Sequence, residues 1–259
     1  MVTWVIGHGI FDNEVQLIEE VRKQGHNVIE IDYKRNFELD DICYSKIYQP
    51  LLDQPVIFRG SLNLSSQISR NIPWIPGTYC NRDNFNCSTY YAYWGKYLLN
   101  SNYTMMTSSE LIRRWYSDRL FVRPDSGAKL FNGGTYTRDE FVKLNLSAEL
   151  LVISSPVKKV DKEWRFVVTR NTIVAGSQYL PIETNVNSIK VIEYLQSILN
   201  ELTWSPDDIY TVDICFANGS YHVLELNSFS CSALYKCDLA AVVECTSQLA
   251  INEWNDYAA

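Results

Sequence analysis

The stretch Val212-Asp213-Ile214-Cys215-Phe216-Ala217-Asn218-Gly219-Ser220-Tyr221-His222-Val223-Leu224-Glu225-Leu226 constrains this chain more than any other. It reads as two β-strands joined by a tight turn. Register decides which side chains share a face, because a slip of one residue turns every side chain over. A two-residue Asn218-Gly219 turn pairs Asp213 with Leu224 and Ile214 with Val223, and so mixes charged and apolar side chains on each face. A three-residue loop, Asn218-Gly219-Ser220, pairs Val212 with Leu226, Ile214 with Leu224 and Phe216 with His222. That register gathers Val212, Ile214, Leu224 and Leu226 on one apolar face, and loops of this length with Gly in the left-handed position are common. The three-residue loop is therefore expected. It sets Asp213 opposite Glu225 on the other face, with Asn227 two residues further along it.

Two carboxylates facing each other across a ladder repel unless a cation lies between them. A hard divalent ion resolves the conflict with oxygen ligands alone, and the Asn227 carbonyl adds a neutral one. The simpler alternative is a solvated sheet face on which Asp213 and Glu225 meet water. The rest of the chain has to decide between the two.

The chain opens with a β-α-β pattern. Residues 2–6 are apolar, residues 13–24 carry Val15, Ile18 and Val21 at helical spacing, Gly25 stands where a helix C-cap belongs, and 27–31 form the next strand. This is the doubly wound beginning of an α/β unit. Gly7-His8-Gly9 lacks the third glycine of a dinucleotide fingerprint, so it argues little for NAD. After residue 105 the texture changes to strand-rich α+β. Leu120–Arg123 and Lys129–Phe131 read as strands around a Pro124–Ala128 loop. Thr137 caps a short helix, and Glu149–Val157 is an apolar strand. Residues 163–168 and 172–179 form a hairpin, 187–202 an amphipathic helix, and Asp238 caps a final helix.

Cations stand where a phosphate could meet them. Arg123 ends one strand and Lys129 begins the next, around a loop of small residues. An arginine offers a planar fork and a lysine a movable point charge. Two solvated loop cations are the bland alternative. Arg165 alternates with Trp164, Phe166 and Val168; if those three face the core, Arg165 and Glu163 share the other face, as an ion pair or as ligand contacts.

The stretches FVRPDSGAKLF, EWRFVV…AGSQY and VDICFANGSYHVLELNSFS, in this order, resemble the ATP-grasp superfamily, most closely a branch of small, largely phage-encoded members. The resemblance implies an ATP-grasp fold with a Rossmann-like pre-ATP-grasp domain at residues 1–105. Residues 106–259 would form two α+β lobes that clamp ATP, with a hinge near 152–157. Asp213, Glu225 and Asn227 would hold Mg²⁺. Arg123, Lys129 and Arg165 would act on the phosphates, Arg123 standing where many relatives carry Lys. Val152, Ser154, Ser155 and Val157 would present backbone to the adenine, and Lys158 and Glu163 would complete the nucleotide contacts.

The chemistry so implied is carboxylate activation: ATP makes an acyl phosphate, which an amine or similar nucleophile attacks. The carboxylate substrate and its acceptor could be small molecules, peptides or proteins. A kinase or nucleic-acid end-modifying ligase on the same clamp, or a nucleotide-binding module without turnover, are the alternatives. A net charge of −7 argues against a protein that coats nucleic acid without sequence preference, while a local basic groove would survive it. No apolar run reaches membrane-span length, so the cytoplasm (the host's, for a phage protein) is the expected location. The seven cysteines have no metal-type spacing and are expected to be reduced. Cys231, in Ser230-Cys231-Ser232, has no neighbour in sequence that would activate it and reads as a buried small hydrophobe. Trp74, Tyr79, Tyr90, Tyr91 and Trp94 read as aromatic core, with a pocket lining as the alternative. Substrate choice is expected to rest with the first domain and the loops at 71–86 and 180–187.

Overall fold

A computed structural model describes residues 1–32, 51–186 and 188–259. Cys43 lies outside the described residues. The apolar opening forms β1 (Thr3–His8), followed by α1 (Glu14–Lys23) and β2 (Asn27–Asp32). Leu17, Ile18 and Val21 are the buried stripe of α1, while Val15 is exposed. Leu17 thus takes the place that the sequence reading gives Val15, because 17, 18 and 21 lie closer together on one helical face than 15, 18 and 21. Gly25 takes φ +79° just beyond the helix, where a left-handed residue ends it. β3 (Pro55–Arg59), α2 (Leu62–Asn71) and β4 (Ile75–Gly77) complete a parallel sheet of order β2-β1-β3-β4. α2 packs on one face of it, and α1 on the other.

The chain continues through α3 (Cys87–Trp94), β5 (Thr104–Thr107), α4 (Ser108–Arg113), β6 (Leu120–Pro124), β7 (Gly134–Tyr136), α5 (Arg138–Val142) and β8 (Leu151–Pro156). These strands make an antiparallel sheet, β5-β8-β6-β7. Thr137 closes α5 with a full capping box, its partner being Glu140. One expectation fails here. The strand after the Pro124 loop does not resume at Lys129–Phe131 but at Gly134. The Lys129 N–H closes a turn onto the Ser126 carbonyl (3.2 Å) and Lys129 takes φ +51°, which removes it from any extended run.

A second antiparallel sheet, β11-β10-β9-β12-β13, is built from β9 (Lys162–Thr169), β10 (Thr172–Leu180), β11 (Thr184–Asn185), β12 (Ile209–Ala217) and β13 (Ser220–Ser228). α6 (Ile189–Glu201) lies between β11 and β12 in sequence, and α7 (Leu239–Ala258), capped by Asp238, ends the chain. Trp164, Phe166, Val212, Ile214 and Val223 face Val191, Leu195 and Ile198 of α6 and Tyr90 and Trp94 of α3. Burying each such side chain contributes roughly 1.5–3 kcal/mol. Trp74, Tyr79, Tyr90, Tyr91 and Trp94 are all buried, so they are core and not pocket lining. α7 packs against α1, β3, β4 and β10 and so joins the parallel sheet to the second antiparallel one.

The hairpin β12–β13 corrects the expected loop. Asn218 and Gly219 both take positive φ, +52° and +80°, and form a two-residue turn, so Ala217 pairs with Ser220 and Ile214 with Val223. The ladder then shifts by one residue: Asp213 pairs with Glu225, Val212 with Leu226 and Thr211 with Asn227. Leu224 is the extra residue of a β-bulge. Asn-Gly suits a turn whose twist matches its strands, and the bulge absorbs the residue that a longer loop would have absorbed. Val223 replaces Leu224 in the core, fully buried.

Candidate functional site

Register assembles the site. Asp213 of β12 pairs with Arg165 of β9 on one side and Glu225 of β13 on the other, so three strands place three charged side chains in one row. Arg165 donates through Nε to Asp213 Oδ1 and through Nη2 to Oδ2, both at 2.7 Å, and through Nη1 to the Ala233 carbonyl at 3.2 Å. Asp213 is 1% exposed and Arg165 7%. Asn227 donates from Nδ2 to Glu225 Oε1 at 2.9 Å and, at 3.5 Å, to Asp213 Oδ2. From the facing sheet, Arg123 at the end of β6 brings Nη2 to 3.1 Å from Glu225 Oε2.

The two sheets enclose a cavity of about 520 Å³. Arg123, Lys129, Lys158, Glu163 and Arg165 line it, together with Asp213 and Glu225. Asn227 sits just behind, on a smaller cavity of about 70 Å³ that also reaches Arg123 and Lys129. Val152, Ser154 and Ser155 point elsewhere: Val152 is buried in the core of the first antiparallel sheet, Ser154 Oγ bonds Thr104 Oγ1 at 2.8 Å, and Ser155 Oγ donates to Asn100 Oδ1 at 3.0 Å. Val157 is exposed. Glu163 and Arg165 share the cavity face, as the alternation implies, and Arg165 takes Asp213 as its partner.

The loop bearing Lys129 is pinned at its root. Asp125 accepts from Ser88 N–H (2.6 Å) and Ser88 Oγ (3.1 Å), at the start of α3. Gly127 N–H donates to Asn86 Oδ1 at 2.8 Å, and a Cβ on Gly127 would stand 2.8 Å from the Arg82 carbonyl oxygen. Only glycine fits so close to backbone. Beyond this root Lys129 and Leu130 are exposed.

Electrostatics divide the two carboxylates. Burial alone would raise Glu225, but Lys129, Arg123, the Asn227 hydrogen bond and Arg165 bring it down to about 2. Burial raises Asp213, the Arg165 charge and hydrogen bonds oppose that rise, and Glu225 adds to it. Burial also works against the Arg165 charge, but Asp213 more than offsets it and the guanidinium stays protonated.

Sequence reasoning missed two aromatic groups here. Tyr179 of β10 and Tyr235 stack at 4.8 Å, with the Arg165 guanidinium 5.9 Å and 5.3 Å from their ring centres. The alternation of β10 could have put Tyr179 on the Arg165 side; nothing in the sequence marks Tyr235, which sits in a turn at φ +48°. Leu224 was also missed, because the bulge that turns it toward the cavity has no sequence mark. Asn100 and Asn102 hold Lys158 Nζ at 3.1 and 2.8 Å.

Two antiparallel sheets that face each other across a charged cavity, with a parallel sheet behind, make this an ATP-grasp protein. The chain belongs to an ATP-grasp domain family, the third family of its clade, whose pattern matches residues 80–245. Its fold is similar to that of a RimK domain ATP-grasp protein from Sphaerobacter thermophilus, at TM-score 0.59 and 10% identity over 98% of this chain and 96% of that one. A D-alanine–D-alanine ligase from Bacillus anthracis matches at TM-score 0.55 and 14% identity, over 99% of this chain and 98% of that one. The macrocyclase MdnC from Microcystis aeruginosa, bound with the precursor peptide MdnA, matches at TM-score 0.57 and 12% identity, over 97% of this chain and all of that one. No curated protein matches the sequence. No helix among the described residues is long and apolar enough to cross a membrane.

Proposed function

We propose that this protein is an ATP- and Mg²⁺-dependent ligase that activates a carboxylate as an acyl phosphate for attack by an amine or similar nucleophile. The observation that carries the reading is the row Arg165–Asp213–Glu225 with Asn227 beside it. Asn227 Oδ1 is buried with no hydrogen-bond partner, while its Nδ2 bridges the two carboxylates. Amide nitrogen and oxygen are assigned from such bonds, and turning the amide over offers its free oxygen alongside the carboxylates. Among the described residues no three His, Cys, Asp or Glu side chains gather as a metal cluster, and the set here is two carboxylates and an amide. An all-oxygen set of this charge suits Mg²⁺, which keeps positions for substrate phosphates. Asp213, Glu225 and Asn227 would hold the ion, which when bound neutralises phosphate charge.

The chain's own groups do the rest. Arg123 and Lys129 approach from the opposite sheet and its loop and bind phosphate oxygens. Arg165, fixed by Asp213 and Ala233, presents a preorganised charge toward the transferred phosphoryl group, which needs positioning and charge neutralisation more than a protein nucleophile. Lys158 and Glu163 line the same cavity as further nucleotide contacts. Of the residues expected to offer backbone to the adenine, Val157 lies beyond β8 and outside its ladder, whereas Val152 and Ser154 are paired with strands on both sides and Ser155 with β6, so Val157 is the one that would contribute. The D-alanine–D-alanine ligase and the peptide-bound macrocyclase among the similar structures support a ligase reading, and the second supports a peptide as one class of acceptor or substrate.

Calorimetric titration of ATP with and without Mg²⁺, on the wild type and on a Glu225→Gln, Asn227→Ala double variant, tests the site. Magnesium-dependent binding is expected in the wild type and lost in the variant. Absence of binding to the wild type sinks the reading. Adding hydroxylamine during turnover separates carboxylate activation from a kinase, because an activated acyl group yields a hydroxamate and a phosphate ester does not.

A further inference from the structure

Cys80 lies in the loop after β4, and Cys231 ends the turn Phe229–Cys231 that follows β13. They are 151 positions apart in sequence, yet their sulfur atoms stand 3.8 Å from each other. Both are free thiols, and both line the small cavity of about 70 Å³ behind Asn227. Cys80 is buried and Cys231 partly exposed. Their chain neighbours Tyr79 and Ser230 bond each other, Ser230 N–H donating to the Tyr79 carbonyl at 3.3 Å and Tyr79 N–H to Ser230 Oγ at 3.0 Å, so the two segments run side by side and the sulfurs need only approach each other to form a bond of about 2 Å.

The surroundings of Cys231 are built for a negative sulfur. Arg59, at the end of β3, is 1% exposed and donates to the carbonyl oxygens of Phe229 and Ser232 on either side of Cys231. It forms no ion pair among the described residues, and its Nε has no hydrogen-bond partner. The Phe229 and Phe11 rings, with centres 4.6 and 5.4 Å from the guanidinium, offset part of its burial cost, and a nearby anion offsets more. Burial lowers Arg59 to about 10, and Cys231, ahead of Glu14, is the neighbour that most opposes that shift. The Ser65 hydroxyl is fully buried and has no ordinary hydrogen-bond partner, which a charged sulfur would supply. Burial alone would raise the Cys231 thiol, but Cys80, Ser65, Ser228 and Arg59 together lower it, whereas Cys80 is raised by its bond to Cys231 and by burial. Of the two sulfurs, Cys231 is the one held toward the thiolate. Thiolate character and access are what make one cysteine react before others.

We propose that Cys80 and Cys231 form a redox-active dithiol, a modification site at which a hydroperoxide converts the pair to an intramolecular disulfide. The Cys231 thiolate attacks the peroxide; a sulfur–oxygen bond forms, the oxygen–oxygen bond breaks, and hydroxide or alkoxide leaves. The Cys80 sulfur then attacks the Cys231 sulfenic acid; the sulfur–sulfur bond forms, the sulfur–oxygen bond breaks, and water leaves with the Cys80 proton. Two electrons pass from the thiols to the peroxide. The product ties the loop after β4 to the turn after β13, four residues from Asn227, and removes one of the negative charges near Arg59. This proposal does not depend on the ligase reading.

The test treats the reduced full-length protein with hydrogen peroxide and maps its peptides without reduction. The expected result is a Cys80–Cys231 crosslink that dithiothreitol reverses, formed roughly tenfold or more faster than oxidation of Cys245, a partly exposed thiol in the same molecule that burial raises. In Cys80→Ser protein, dimedone should trap a sulfenic acid on Cys231; in Cys231→Ser protein it should trap none on Cys80. Because Cys245 reports from within the wild type, the comparison holds even if a variant folds poorly. Equal oxidation of Cys231 and Cys245, or crosslinks that pair either cysteine with another, overturns the proposal.

Discussion

Arg165 grips Asp213 with two parallel hydrogen bonds of 2.7 Å, and both side chains are almost wholly buried between β9 and β12. The pair is structural before it is anything else. Removing one partner leaves an uncompensated charge, which typically costs about 3–5 kcal/mol. Arg165→Ala is therefore expected to lower unfolding free energy by that amount in urea titrations. An Arg165→Met, Asp213→Leu double variant, which removes both charges, should lose less. A double variant as unstable as the single one would contradict the pairing.

Acid should act on the other carboxylate with a definite sign. Glu225 is brought down from 4.5 to about 2, so its contribution is complete above about 4.5 and is lost as pH falls toward about 2. Asp213, which burial raises, works the other way and regains stability on protonation. Comparing thermal unfolding of the wild type and Glu225→Gln across this window reads the Glu225 charge together with the relief it gives Asp213 when removed. The wild type should lose stability relative to the variant on acidification, and parallel curves would mean that Glu225 has no favourable cationic surroundings.

The pinned loop root gives a third expectation. A methyl at Gly127 would meet the Arg82 carbonyl at 2.8 Å and the Phe85 Cβ at 3.1 Å. Gly127→Ala should cost about 1–3 kcal/mol of stability. It should also weaken ATP binding, because Lys129 two residues on is displaced; calorimetry on the folded variant reads this. Unchanged affinity would show that Lys129 is positioned without the root.

Lys129 itself should matter more than its neighbours in composition. Lys129→Ala is expected to weaken Mg-ATP roughly tenfold or more, the worth of a charge-assisted hydrogen bond. Lys159, which is 88% exposed and pairs with Asp161, should be replaceable by Ala with an effect under about twofold. Equal effects would assign both lysines to general charge attraction.

Much of this architecture was legible because its signals are local. Alternation in β9 put Trp164, Phe166 and Val168 inward and Arg165 on the cavity side, and Asp238 and Thr137 marked their helices by capping chemistry. The opposition of Asp213 and Glu225 was read correctly, but through a three-residue loop and an inward Leu224 that the chain replaces with a two-residue turn and a bulge. What escaped depends on contacts between distant segments or on backbone detail. The turn at Lys129 closes on the Ser126 carbonyl beside a Gly127 that lies close against Arg82, contacts that no spacing encodes. Tyr235 meets Arg165 only because the chain turns back after β13. Arg59 reaches the carbonyls on either side of Cys231 from the parallel sheet, so the buried cation beside that thiol is invisible in its own sequence surroundings.

The Leu224 bulge has a consequence for how the hairpin can vary. One odd residue must be accommodated somewhere between Glu225 and the tip, and the chain could settle it at the turn or, as here, next to the site. Either way Asp213 faces Glu225; only the identity of the inward residue beyond them changes, Val223 in one case and Leu224 in the other. The site is thus insulated from the parity of the tip. Within the tip, Asn218 and Gly219 are held by their positive φ and Tyr221 by its packing on Trp164, Tyr194 and Phe216, whereas a one-residue insertion or deletion between Glu225 and Asn227 would throw the carboxylate and the amide onto opposite faces.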